Sequence, residues 1–143
     1  MKSAIPQLNL VLAWAWILLG FISGMILGLN FHRGDWLGGY GSFPRRLYRL
    51  GHISFFGLGT VNLLFFFTVR SFANAGPAVH MAAWGFVLGA ITMPICCFAA
   101  AHWPKCRMFF AVPVLSLIFG GSLLLWEITH QAVGCPTTTP LIR

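Results

Sequence analysis

Four apolar runs govern what this chain can become. They extend from about Leu8 to Asn30, Leu50 to Val69, Val79 to Ala101 and Phe109 to His130, and the only charged residue within them is Glu127. A helix needs roughly 20 mostly apolar residues to cross the hydrocarbon core of a bilayer. It also satisfies its own backbone hydrogen bonds, which lipid cannot do for it. The expected fold is therefore all-α: an integral membrane four-helix bundle with short loops, a single transmembrane domain over residues 1–143.

Composition removes the soluble alternative. Charged residues make up 8% of the chain and hydrophobic ones 58%, whereas soluble domains carry about a quarter charged residues. The first run is expected to be a retained helix rather than a cleaved leader. Only Lys2 precedes it, it outruns the roughly 7–15 residues of a signal-peptide core, and no small-residue cleavage pattern follows around Gly28-Leu29-Asn30-Phe31-His32.

Nine Lys and Arg against Asp35 and Glu127 give a net charge of +7. The basic residues flank apolar runs, so the bilayer and its anionic lipids are the expected partners, and no motif or basic face points to nucleic acid. Arg33, Arg45, Arg46, Arg49, Lys105 and Arg107 fall on one side of a four-span topology, and Lys2, Arg70 and Arg143 on the other. Positive charge concentrates in cytoplasmic loops, so loops 31–49 and 102–108 are expected inside and both termini outside, periplasmic in a bacterial inner membrane.

The long loop begins with Gly34, Gly38, Gly39 and Gly41 and ends with Arg45-Arg46-Leu47-Tyr48-Arg49. Its glycine part reads as irregular surface backbone. Its basic part reads as an interfacial anchor in which Arg45, Arg46 and Arg49 meet lipid headgroups. Turns at Ser71–Ala78 and His102–Met108 are short enough to make consecutive helices antiparallel neighbours. Cys96, Cys97, Cys106 and Cys135 lack the spacing of a disulfide framework or a C-x-x-C motif.

Lipid tails give helices no hydrophobic reason to associate, so small residues that allow close backbone approach become the packing signal. Gly20, Gly24 and Gly28 share one stripe of the first helix; Gly85 and Gly89, with Ala82, Cys96 and Ala100, share one of the third. Pro113, Ser116, Gly120 and Glu127 align on the fourth. These stripes serve either packing within the chain or, as a glycine zipper left uncovered, docking of another subunit. Asn62 aligns with His52 and Gly59 on the second helix and is expected to face other helices.

The five histidines cluster by depth. His32, His52 and His102 belong to one end of the helices, His80 and His130 to the other. His52 and His102 are candidate haem b ligands, although His80 and His102 lie about 33 Å apart along their helix, both at the edges of the hydrocarbon. Glu127 and His130 have the i, i+3 spacing of carboxylate-bridged metal sites, and His80 makes the third member of a candidate metal set. Met93-Pro94-Ile95-Cys96-Cys97 offers soft sulfur beside a kinking proline, more simply a set of packing residues. Histidine at a membrane interface needs no ligand, and no cofactor is the preferred expectation. No nucleophile and base pair, phosphate loop or carboxylate pair is present.

Residues Arg49-Leu50-Gly51-His52-Ile53-Ser54-Phe55-Phe56-Gly57-Leu58-Gly59 resemble the Gly-His-aromatic-Gly segments of bacterial respiratory membrane proteins of the haem–copper type. The resemblance is confined to that segment and assigns no functional residue. Together these features suggest a small non-catalytic subunit packed with other membrane subunits in a larger inner-membrane complex, respiratory or redox in kind. The alternative is a haem b- or metal-binding four-helix protein in electron transfer or metal handling. A transporter fits less well, since no pair of broken helices is present.

Overall fold

The computed structural model describes residues 4–72 and 76–134. It is helical throughout: α1 (Ala4–Leu29), α2 (Phe43–Arg70), α3 (Pro77–His102) and α4 (Ala111–Gly134), with 3₁₀ turns at Trp36–Gly38 and Pro104–Phe110. Each of the four long helices is long and apolar enough to span a membrane, the fourth with its leading turn from Pro104. The chain has the fold of a multi-pass membrane protein.

Two boundaries move. α2 starts at Phe43 rather than near Leu50, so the basic segment forms its first two turns. Ser42 supplies the start: its hydroxyl oxygen accepts from the Arg45 backbone N–H at 3.3 Å and its hydroxyl donates to the Leu37 carbonyl at 2.6 Å. Pro44, in the first helical turn, has no N–H to leave unsatisfied there. The fourth apolar run begins as a 3₁₀ turn over Pro104–Phe110 before the α-helix proper. Arg107 in that turn lies over the Phe43 ring at 4.4 Å, tying it to the head of α2.

The glycine loop reverses the chain tightly. Leu37, Gly38 and Gly39 take φ values of 54°, 83° and 97° in succession. Glycine adopts such angles freely; at Leu37 the left-handed conformation costs roughly 1–2 kcal/mol, held by the Ser42 hydroxyl on its carbonyl.

Consecutive helices pack antiparallel. Gly20 faces the Phe56 ring and Gly24 faces His52, while the backbone at Ala13 closes on Gly59. Phe65 meets Phe86 across α2 and α3, with Tyr48 meeting Phe98 further along. Gly85 and Gly120 bring α3 and α4 into backbone contact: a Cβ on Gly85 would lie 3.1 Å from the Gly120 Cα. α2 and α3 occupy the middle, and α1 and α4 flank them. α1 also approaches α3, but among the described residues α1 and α4 bring no Cα atoms within 8 Å of each other.

Two buried clusters hold the middle. Phe65, Val69, Val79, Ala82, Ala83 and Phe86 form one, and Leu47, Ala100 and Ala101 the other, at the opposite end. Small residues dominate α3 because it is contacted from both sides. Trp14, Phe21, Leu115, Ile118 and Trp126 are exposed; such residues on the flanking helices suit a lipid surround rather than water.

Polar contacts reinforce this order. Asn9 donates to the Asn62 side-chain oxygen at 2.7 Å and to the Ala83 carbonyl at 3.3 Å, and Asn62 donates to the Leu58 carbonyl at 2.9 Å. Seven residues along both α1 and α3, the Trp16 indole N–H donates to the Ala90 carbonyl at 2.8 Å. That carbonyl is the one Pro94 leaves without its helical donor. Ser116 donates to the Gly85 carbonyl at 2.7 Å, bridging α4 to α3.

Candidate functional site

The richest polar cluster lies where the end of α1, the 30–42 loop and the first turns of α2 meet. Arg45 and Arg49 sit one turn apart on α2, and His52 follows on nearly the same face. Arg45 is only 3% exposed. Its guanidinium donates to the carbonyls of Arg33 and Phe31, both at 3.2 Å, just beyond the end of α1. Three rings surround it: Tyr40 at 5.1 Å, Trp36 at 5.7 Å and Phe31 at 5.8 Å from the guanidinium carbon. Arg49 also lies over the Tyr40 ring, at 4.8 Å, and donates to the Tyr40 carbonyl at 3.3 Å.

Deeper along α2, the Nδ1 of His52 lies 3.0 Å from the Ser23 hydroxyl, which itself donates to the Gly20 carbonyl at 3.0 Å. Gly24 allows this approach, since a Cβ there would fall 2.8 Å from the ring. A cavity of about 270 Å³ is bounded by Gly24, Gly28, Trp36, Arg45, Arg49 and His52, among others. Gly28 lies open there, with nothing within 4 Å of its would-be Cβ.

The candidate haem ligands are placed differently from one another. His52 turns toward α1, whereas His102 is exposed at the end of α3, its Nε2 2.9 Å from the Tyr48 hydroxyl. Of the candidate metal set, His130 stacks on Trp126 with ring centroids 6.4 Å apart. Glu127 accepts from the Gln131 amide at 2.8 Å. Both its carboxylate oxygens lie 3.9 Å from the position of a Cβ on Gly76, the residue that caps the start of α3. A carboxylate there is favoured by the exposed N–H groups and dipole of a helix N-terminus, which gives Glu127 an electrostatic reason for its place. His80 is half-buried in α3 and His32 exposed in the loop. Among the described residues no three His, Cys, Asp or Glu side chains converge as metal ligands would.

The basic anchor divides. Arg46 is exposed, Arg49 half-buried and Arg45 buried in its ring of aromatics. Of the packing glycines, Gly20 and Gly24 face α2, and Gly85, Gly89 and Gly120 lie in the α3–α4 contact, while Gly28 borders the cavity. Cys96, Cys97 and Cys106 are free thiols, and Cys96 donates to the Phe109 carbonyl at 3.5 Å. Cys135 lies outside the described residues.

Four participants were not legible as such in the sequence: Asn9, Trp16, Ser23 and Trp36. Asn9 and Ser23 carry a usable signal, since a polar residue inside an apolar run seeks a partner on another helix. Trp16 carries one only through Pro94, whose missing N–H orphans a carbonyl. Trp36 offers none, because its role depends on how the loop folds back. The chain matches no protein-family model, no curated protein and no solved structure.

Proposed function

We propose that this membrane protein is a small non-catalytic subunit that packs within a larger complex of a bacterial inner membrane, respiratory or redox in kind, with both termini on the periplasmic side. One observation supports it most. α1 and α4 lie on the flanks, and their spans are largely uncovered by the rest of the chain, unlike those of α2 and α3. In a protein that works alone, a central site enclosed by all four helices would be the natural place for chemistry. Here the helices line up in sequence and the middle is filled by Asn9, Asn62, Phe65, Val79 and Cys97, all fully buried.

The packing glycines largely face neighbouring helices of the same chain, so partner contact falls to the outer apolar faces of α1 and α4 rather than to a free glycine zipper. The experiment is extraction from native membranes in mild detergent, followed by a native gel and identification of comigrating proteins. Comigration with larger membrane proteins is the expected outcome. A clean monomer from membranes in which the protein is expressed at its natural level would overturn the proposal. An absorption spectrum of the same material tests the electron-transfer alternative: a haem band lost in His52→Ala would favour that function instead.

A further inference from the structure

We infer that the cavity between α1 and α2 is a binding site for a phosphate group with a net negative charge, carried by an anionic lipid headgroup or free in solution. A guanidinium that is only 3% exposed has lost most of its hydration, and buried charge is ordinarily matched by an opposite charge. Arg45 has two neutral carbonyls and three ring faces and, among the described residues, no carboxylate. The chain has only Asp35 and Glu127 to offer, and among the described residues neither pairs with it. Glu127 belongs to the start of α3.

Arg49 adds a second positive charge one helical turn away, on the same cavity. Like charges at that spacing repel, and an anion between them converts the repulsion into two attractions. Arginine is the residue best shaped to grip phosphate oxygens, through paired N–H donors. The cavity of about 270 Å³ reaches Gly28 near the end of α1, at the interfacial depth where phosphates of lipid headgroups lie. Gly28 leaves its side of the cavity open, since nothing stands within 4 Å of the would-be Cβ.

Native mass spectrometry of the purified full chain tests this, after equilibration with phosphatidylglycerol, with phosphatidylcholine, or with inorganic phosphate alone. The expected result is one retained phosphatidylglycerol per chain in preference to phosphatidylcholine, whose choline cancels the charge. Binding is expected to weaken about tenfold in Arg49→Gln, the effect of losing a charge-assisted contact, and to stay unchanged in Arg46→Gln. Circular dichroism confirms that Arg49→Gln remains folded; Arg45→Lys, which keeps the charge but loses the fork, is the second variant and is expected to weaken binding as well. Retention of inorganic phosphate with the same dependence on Arg49, without lipid preference, assigns the source to free anion. Absence of both adducts, or equal losses in Arg49→Gln and Arg46→Gln, overturns the inference.

Discussion

Pro94 has no N–H to give the carbonyl of Ala90, four residues earlier in α3, and the Trp16 indole of α1 supplies the donor at 2.8 Å. A residue that would break the ladder of an isolated helix thereby becomes an attachment point for a neighbour. Replacing Trp16 with Phe keeps the ring and removes the donor, leaving a carbonyl unpaired in a medium without water. A loss of about 1–2 kcal/mol is expected, read from unfolding in mixed micelles. In a Pro94→Ala background the backbone N–H returns to Ala90, and the same Trp16→Phe change is expected to cost markedly less. Equal costs in both backgrounds would separate the proline from the indole. Proline in a helix is visible in any sequence; which side chain reaches the freed carbonyl depends on the rotation of α1 about its axis.

Between elements, α3 and α4 meet backbone to backbone. A Cβ added at Gly85 would lie 3.0 Å from the Ser116 carbonyl oxygen, and one at Gly120 would lie 3.1 Å from that of Ala82. Both obstacles are backbone, which cannot step aside without moving a helix. Gly85→Ala is expected to destabilise the protein by about 1–3 kcal/mol. Gly121→Ala, one residue beyond Gly120 and facing open space, is expected to fall within about 0.5 kcal/mol of the parent. Thermal or detergent unfolding of the pair measures the contrast; matching losses would mean that α3 and α4 are not packed through Gly85. The glycine stripe of α1 works more softly, since Gly20 and Gly24 face the rings of Phe56 and His52, which can rotate. Spacing alone marks all three stripes alike, and only the facing atoms rank them.

At the scale of the whole molecule, orientation remains the property with the largest consequence. With both termini proposed as periplasmic from the charge bias along the sequence, the 30–42 loop and the Pro104–Phe110 turn would face the cytoplasm. A membrane-impermeant maleimide applied to intact cells is expected to label Cys135 from outside. A cysteine introduced by Met108→Cys, at a position 85% exposed in that turn, is expected to react only after the cells are opened. The reverse pattern would invert the protein in the membrane and bring the Arg45 cavity to the outer leaflet.

Sequence by itself determined that the chain is helical, with four helices long and apolar enough to cross a membrane, because the length of an apolar run and the demand of every backbone N–H for a partner are local properties. It also marked Asn62 as facing other helices, since an amide cannot remain unpaired in lipid, and Asn9 meets it at 2.7 Å. Tertiary structure decided the rest. Arg45, Arg46 and Arg49 look alike as a basic run, yet a loop turning through Leu37, Gly38 and Gly39 encloses one of them in aromatic rings and leaves another exposed. His52 and His102 are expected at one depth, yet α2 begins at Phe43, so His52 lies more than two turns inside it on Ser23 of α1 while His102 ends α3 beside Tyr48. Spacing along a helix is fixed by counting residues. Azimuth and loop closure depend on the atoms of neighbouring helices, which no single segment contains.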